Sequence, residues 1–117
     1  FGLLGHLIEM CEGSGLSAQL RYSDIPVIPV ALTYLAEGCY ADGALRNWKS
    51  YGHKTAGAAT LERMMVLSDP QTSGGLLISC APDVADGIIS ISRSADSIAR
   101  RIGIIHPASP AAIVTVA

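Results

Sequence analysis

The stretch FGLLGHLIEMCEGSGLSAQLRYS, residues 1–23, decides the fold because its hydrophobic period changes partway along it. At about 100° per residue, the apolar residues of 1–13 fall on one half of a helical wheel, and the Gly, His and Glu residues fall on the other half. Gly13 and Gly15 supply a helix stop. Residues 17–23 then alternate between apolar and polar, as a strand with one buried face does. This stretch therefore predicts an amphipathic helix that leads into a half-buried strand.

The remainder of the chain shows further helical and strand patterns, which alternate without repeats. Helices are predicted from Pro29 to Gly38, from a Thr60 cap through Leu67, and from Pro82 onward, and strands are predicted at 76–80, 98–105 and 112–116. The segment 40–60 is interrupted by Gly43, Gly52 and Gly57 and follows no regular period, and within it 53–60 is small and polar enough to be a flexible surface loop. The alternation predicts one α+β or α/β sandwich, with helices packed on one sheet.

Composition places the chain among compact single domains. Its 117 residues suffice for one core, 50% of them are hydrophobic and 15% are charged. With a formal net charge of −2 the chain does not have the positive electrostatic potential that nucleic-acid binding requires, so we do not expect a nucleic-acid partner. Every apolar run falls short of the roughly 18 residues that span a bilayer, so we expect no membrane insertion.

The three cysteines are odd in number and widely spaced, at positions 11, 39 and 80. They form no Cys-x-x-Cys pair, so a reducing, cytoplasmic setting is expected in preference to a disulfide framework or a zinc site. The first residue is not Met, is not followed by the basic region of a signal peptide, and already lies inside the helical pattern without a capping residue. We therefore expect the chain to be a piece of a longer protein.

The segment DPQTSGG, residues 69–75, joins a predicted helix to a predicted strand and is the first candidate ligand site. Backbone amides of Ser73, Gly74 and Gly75 can form an anion-binding nest, to which the hydroxyls of Thr72 and Ser73 can add donors. Phosphate-binding glycine loops, however, run from a strand into a helix, whereas this one leaves a helix end, where the partial charge is negative. The residues alone leave a structural turn and a ligand loop both open, with the turn favoured.

Two further places carry candidate site residues. Gly2 and Gly5 lie with His6 on the helix face that would otherwise be in solvent, and each glycine costs about 1 kcal/mol relative to Ala. This smooth face predicts close approach by another domain, a subunit or a ligand, with tolerance of glycine near a frayed helix start as the alternative. Arg46 and Asn47 can bind a carboxylate or a phosphate, although an exposed pair of this kind is usually ordinary surface.

The spacing of the His, Cys and acidic residues argues against a metal site or a catalytic nucleophile in this chain. The three histidines are scattered, without His-x-x-x-His or Glu-pair spacing, so we expect no metal site built from this chain alone. Cys39 has no His placed to activate it and is expected to be a buried thiol. Because no Ser-His-Asp or paired-carboxylate spacing is present either, no catalytic residue is assigned.

Two long motifs give the chain a resemblance to a known family. FGLLGH at residues 1–6, followed by Glu9-Met10, and DPQTSGGLL at residues 69–77 resemble conserved blocks in the C-terminal domain of the selenophosphate synthetases (selenide, water dikinases). Three shorter pairs fall at similar intervals to their family equivalents: Gly38-Cys39, Arg46-Asn47 and Ile102-Gly103. The resemblance covers nearly the whole chain.

The resemblance implies a fold, an activity and a division of labour. The fold is that of the C-terminal domain of the aminoimidazole ribonucleotide synthetase-like superfamily, an α+β domain with an elaborated ferredoxin-like, mixed or antiparallel sheet covered by helices. The whole enzyme would be a cytoplasmic homodimer that makes selenophosphate from selenide, ATP and water, requires Mg²⁺, and releases AMP and phosphate. The reactive Cys or selenocysteine, a lysine, a glycine-rich loop and a metal-binding aspartate would belong to an N-terminal nucleotide-binding domain outside this chain. We therefore expect residues 1–117 alone to be inactive and to bind neither ATP nor Mg²⁺.

Under this resemblance the candidate residues form an active-site wall near the nucleotide, without a metal ligand or an assigned catalytic residue. The set comprises Gly2, Gly5, His6, Arg46, Asn47, Asp69, Gln71, Thr72, Ser73, Gly74 and Gly75. Two alternatives stay open: the C-terminal domain of another ATP-using superfamily member, from hydrogenase maturation or purine biosynthesis, or a free-standing binding or dimerisation module. The complete DPQTSGG string argues against the first alternative, whereas a natural start codon close to Phe1 would favour the second.

Overall fold

The computed structural model describes residues 1–95 and 97–117 of the chain. Its helices are α1 (Gly2–Ser14), α2 (Pro29–Ala36), α3 (Asp42–Tyr51), α4 (Leu61–Ser68) and α5 (Ala85–Ser94). Its strands are β1 (Leu16–Leu20), β2 (Thr55–Ala56), β3 (Gly103–Pro107) and β4 (Val114–Val116), and two short 3-10 turns occupy Tyr22–Asp24 and Gly52–Lys54. Within the described ranges, none of the helices combines the length and the apolar character needed to cross a membrane.

The strands form one mixed sheet in the order β2-β4-β1-β3. β1 pairs antiparallel with β3, where Ala18 lies opposite Ile105, and it pairs parallel with β4 on its other side. β2 pairs parallel with β4 at the opposite edge of the sheet. This mixed sheet with accompanying helices confirms the α+β architecture expected from the sequence.

The main core lies between α1 and the centre of the sheet. Its largest buried side chains are Leu4, Leu7, Ile8 and Cys11 of α1, Ala18 and Leu20 of β1, Leu67 of α4, and Val114 and Val116 of β4. Each fully buried Leu or Ile side chain contributes about 1.5–3 kcal/mol relative to exposure. Leu4, Leu7, Ile8 and Cys11 are buried as the helical wheel predicted, but the buried face also includes Gly2 and Gly5, whereas Phe1 and Met10 of the predicted apolar half are exposed. The helix stops at Gly15, which adopts the left-handed conformation with a φ of 67°.

A second, smaller cluster joins α2, α3 and α4. Its buried members are Leu35, Ala44 and Met65, one from each helix. α4 begins where its sequence predicts, because Thr60 Oγ1 accepts a hydrogen bond of 3.2 Å from the backbone N–H of Arg63. Together with the main core, this cluster brings α1, α3 and α4 into contact with one another.

Two element predictions are wrong. Residues 42–51 form α3, although the glycines of 40–60 had suggested no regular element; the helix is stabilised by burial of Ala44 and by packing of Trp48 and Tyr51 against the main core. Residues 76–80 were predicted as a buried strand, but they lie outside the sheet and Leu76 is 90% exposed. Leu77 packs against the core although it belongs to no strand, because an apolar side chain can be buried without its backbone pairing with a strand.

Further corrections concern the ends of elements and one thiol. The predicted strands at 17–23, 98–105 and 112–116 exist as the shorter or shifted β1, β3 and β4. Cys39 was expected to be buried, but it is exposed because it lies in the link between α2 and α3. The segment 53–60 contains β2 and the buried Ala58, and its flexibility stays a prediction.

Candidate functional site

Gly2 of the first long motif, the start of the second long motif and Asn47 meet around Ser68, the last residue of α4. Ser68 is 1% exposed, and its side-chain oxygen has no hydrogen-bond partner in the described part of the chain. Residues 69–75, named here the 69–75 loop, leave the helix at this buried position and are exposed from Pro70 onward. The start of the loop at Ser68 and Asp69, named here its root, is therefore held inside the protein, while Thr72 and Ser73 at its tip face solvent.

Gly2 brings α1 against the backbone where α4 ends. The place where α1, α3 and the end of α4 meet around Ser68 is named here the junction. The φ of Gly2 is 72°, and a Cβ at this position would lie 2.6 Å from the carbonyl carbon of Ser68 and 2.8 Å from the carbonyl oxygen of Leu67. Both distances are too short for a real contact, and the left-handed conformation is costly for any residue with a Cβ. The close approach of α1 to the end of α4 therefore requires glycine at position 2.

Gly5 makes a second close contact, this time with α3. A Cβ at Gly5 would lie 2.6 Å from Cβ of Phe1 and 3.0 Å from Cε2 of Tyr51. The Phe1 ring in turn packs edge-on against the Tyr51 ring, with the centroids 5.9 Å apart. Gly2 and Gly5 are thus both buried rather than on a solvent-facing side of α1, and residues of this same chain approach them closely.

His6 stays exposed beside this aromatic contact. Its ring lies edge-on to Phe1 with the centroids 6.0 Å apart, and its Nδ1 lies 3.8 Å from Oε2 of Glu9. The Tyr51 hydroxyl donates a hydrogen bond of 3.1 Å to Oε1 of the same glutamate. Desolvation and this hydrogen bond raise the pKa of Tyr51 above its ordinary value. Glu9 therefore links α1 to α3 at the rim of the junction.

The structure separates the roles of the neighbouring residues Arg46 and Asn47. Nδ2 of Asn47 donates a hydrogen bond of 2.9 Å to the carbonyl oxygen of Ser68, in a half-buried position. One helical turn earlier, a Cβ at Gly43 would lie 2.7 Å from Cγ of Pro70. Arg46 is exposed and forms no ion pair with a carboxylate of the described residues. Asn47 thus contacts the junction, whereas Arg46 lies on the surface of α3.

Inside the 69–75 loop, the Gln71 side chain folds back between the two ends. Its Nε2 donates a hydrogen bond of 3.0 Å to Oδ2 of Asp69. A Cβ at Gly74 would lie 2.5 Å from Oε1 of Gln71, so glycine leaves the room that this side chain occupies. Gly75 has a φ of 98°, a conformation that favours glycine. The loop is therefore braced from within by one side chain.

The hydroxyls of Thr72 and Ser73 are the exposed polar groups at the tip of the loop. Across residues 1–95 and 97–117, neither hydroxyl hydrogen-bonds to another residue. The helix end from which the loop departs carries partial negative charge, and Asp69 adds a carboxylate at the same place. The tip therefore offers hydrogen-bond donors to a ligand, while the root disfavours an anion.

The described residues do not fit, by themselves, the Mg²⁺ that the family resemblance implies. They contain no group of three or more His, Cys, Asp or Glu side chains that could hold a metal ion. Asp69 supplies a carboxylate in the 69–75 loop, and its Oδ2 already accepts a hydrogen bond from Gln71. No step of metal chemistry is therefore assigned to this chain.

Titratable groups outside the junction have perturbed pKa values for structural reasons. Burial raises the pKa of the Cys11 thiol, which places a neutral thiol, not a nucleophile, in the main core. Burial, followed by the neighbouring Glu62 carboxylate, raises the pKa of Tyr22 to about 12. The Arg63 guanidinium lies 5.2 Å from the centre of the Tyr22 ring. These groups lie outside the junction.

Sequence reasoning missed several residues that build the junction. Ser68 stands next to the recognised motif and Pro70 lies within it, and Tyr51 and Gly43 lie in a segment where no helix was expected. One signal was available in the sequence, because Gly43 and Asn47 are four residues apart and so share a face if the segment is helical. Their partners, however, depend on contacts between distant parts of the chain.

Comparison with known proteins places this arrangement in a family. A protein-family model described as "AIR synthase related protein, C-terminal domain" matches residues 1–114. The "Selenide, water dikinase" of Pseudomonas putida is 55% identical over 83 residues, which are 71% of this chain and 24% of that protein. The protein of the same name from Haemophilus influenzae is 46% identical over 114 residues, or 97% of this chain and 33% of that protein.

A third relative gives the same picture at intermediate coverage. The "Selenide, water dikinase" of Yersinia pseudotuberculosis is 50% identical over 92 residues, which are 79% of this chain and 26% of that protein. The chain thus spans about a quarter to a third of the length of these curated relatives. Since the family match extends over nearly all of its residues, the chain belongs to the family of AIR synthase related protein C-terminal domains.

Proposed function

We propose that the chain is the C-terminal domain of a selenide, water dikinase, whose whole protein makes selenophosphate from selenide, ATP and water and releases AMP and phosphate. The identity of 46% to the Haemophilus influenzae dikinase, over 97% of the chain, carries this proposal. The packing of the junction adds support, because Gly2 of the first long motif and Asn47 both contact Ser68, the residue directly before the second long motif.

In this proposal the junction forms one wall of the active site. The wall comprises Gly2, Gly5, His6, Arg46, Asn47, Asp69, Gln71, Thr72, Ser73, Gly74 and Gly75. The buried contacts hold the three helices together, and the exposed hydroxyls of Thr72 and Ser73 face the reacting groups. Donors that are held in place in this way stabilise charge that develops during phosphoryl transfer.

The remaining chemistry belongs to the part of the whole protein that lies outside this chain. ATP and Mg²⁺ are bound chiefly by an N-terminal nucleotide-binding domain, since the root of the 69–75 loop disfavours an anion and the described residues hold no carboxylate cluster. The whole protein works as a cytoplasmic homodimer, and this chain alone is inactive. Titration of ATP with Mg²⁺ into the isolated chain, followed by calorimetry, is expected to show no binding, and tight binding would contradict this division of labour.

A chimera tests the proposal directly. The C-terminal third of the Haemophilus influenzae dikinase is replaced by this chain, which aligns with it over 114 residues. We expect the chimera to form AMP from ATP only when selenide is present. A folded chimera that binds ATP but forms no AMP with selenide would show that the proposed function is wrong.

The role of the loop tip is tested in the same chimera by T72A/S73A. We expect this double variant to lower kcat at least about tenfold, because removal of one preorganised donor can cost about 10²–10³ in rate. The matched control S23A/S90A removes two other exposed serine hydroxyls, one in a 3-10 turn and one on α5. If T72A/S73A and the control have equal rates, the 69–75 loop is only a turn.

A further inference from the structure

We propose that Asn47 is a positioning residue that fixes the root of the 69–75 loop and thereby sets where the exposed hydroxyls of the loop lie. This inference rests on the proposed function, in which the loop is a wall of the active site. It also replaces the anion-binding role that Asn47 shared with Arg46 in the sequence-based prediction, because the Asn47 amide is already engaged with Ser68.

The end of α4 lacks the cap that helices commonly use. Asp69 follows the helix with φ −62° and ψ 120°, so the chain continues in extended backbone and no left-handed glycine turns back over the last carbonyls. A helix leaves its last four carbonyl groups without intrahelical partners, and a buried carbonyl must find a donor elsewhere. Nδ2 of Asn47 is that donor for the carbonyl of Ser68, at 2.9 Å.

Asn47 differs from the other groups that touch this root. On the α1 side Gly2 provides space, and on the α3 side Gly43 provides space for Pro70. Glycine contacts allow close approach but do not select one direction for the departing chain. The Asn47 hydrogen bond does select a direction, because an N–H donor must point at the carbonyl oxygen. The bond therefore fixes the direction of the Ser68 carbonyl, while Pro70 favours the extended backbone of Asp69 that follows it.

A change at the root is transmitted to the tip. Gln71 bonds to Asp69 near the root and fills the space beside Gly74 near the far end, so the loop is braced as one unit. A shift of Ser68 consequently carries Thr72 and Ser73 with it. Misplacement of a reacting or stabilising group by about 1 Å can cost about 10²-fold in rate.

The test uses N47D in the chimera described above. Aspartate has the size of asparagine but places an acceptor, not a donor, opposite the carbonyl of Ser68. We expect kcat to fall about 10- to 100-fold while KM for ATP stays within about twofold, because the nucleotide is held by other parts of the protein. The matched control is S50A, which removes an exposed hydrogen bond on the same helix, from Ser50 Oγ to the carbonyl of Arg46.

Several outcomes would overturn the inference. These are a kcat for N47D within twofold of the native chimera, an equal fall for S50A, or a fall in kcat that matches the loss of folded protein measured by circular dichroism. If the native chimera is itself inactive, the proposed function fails and NMR spectra of the 117-residue chain decide the positioning role. Amide shift changes in N47D concentrated in 69–75, and absent in S50A, support it; changes that are absent or spread evenly over the chain overturn it.

Discussion

Replacing Gly2 by alanine tests the packing of the junction most directly. The left-handed φ of 72° costs a residue with a Cβ about 1–2 kcal/mol. The new methyl group would also lie 2.6–2.8 Å from three backbone atoms of Leu67 and Ser68, so one helix must move, and overpacking of this kind costs about 1–3 kcal/mol. Against this, alanine reduces the entropy of the unfolded chain and recovers about 0.4–1 kcal/mol.

The net expectation for G2A is a loss of about 1–4 kcal/mol in the free energy of unfolding, a large share of the roughly 5–15 kcal/mol of a typical domain. The matched control is G13A in the same helix, where a Cβ meets no atom within 4 Å and a gain of about 0.5–1 kcal/mol is expected. Urea unfolding followed by circular dichroism measures both. If G2A is as stable as G13A, α1 does not pack on Ser68 as described.

Two further predictions concern α4 and the turn that follows β1. T60A removes the acceptor for the N–H of Arg63 and should cost about 1 kcal/mol, whereas T60S should keep most of the cap; equal urea midpoints for the two variants would contradict the capping role. The pKa of Tyr22 is raised from 10.0 to about 12, so the folded state retains its proton longer than the unfolded state and stability is lost as the pH rises between these values. Unfolding of Y22F over this pH range should show a smaller loss, because Tyr51, whose pKa is also raised, keeps its contribution, and an unchanged pH dependence would refute the assignment.

The sequence predicted α1 and the burial of Leu4, Leu7, Ile8 and Cys11, because one amphipathic period runs through the whole helix. It also predicted the start of α4, since Thr60 carries the capping signal next to its own helix. A close approach to Gly2 was also predictable, because a glycine in a helix has a cost that something must offset, but the predicted partner was another domain, a subunit or a ligand, and the structure instead packs α4 of the same chain against it. The features that were predicted correctly depend on residues that are close in the chain, whereas the partner of Gly2 does not.

The parts that sequence reasoning missed depend on distant residues. α3 was missed because Gly43 and Gly52 were taken as interruptions, whereas Gly43 is a contact residue for Pro70 and Gly52 follows the helix. The segment 76–80 was given a strand because apolar runs occur in strands, but no local feature says whether a partner strand is present. The hydrogen bond from Asn47 to Ser68 joins residues that are 21 positions apart, and no local pattern predicts it.

The strand order β2-β4-β1-β3 has a consequence for how the domain acquires its structure. Strands that follow one another in the chain are never neighbours in this sheet, so each ladder must close a long loop. We therefore expect slow folding for a domain of this size. During synthesis, β1 must wait for the residues of β3 and β4 to leave the ribosome, and until then the apolar face of α1 has no sheet to cover it. A chaperone that binds exposed apolar helices would act on the nascent chain during this interval.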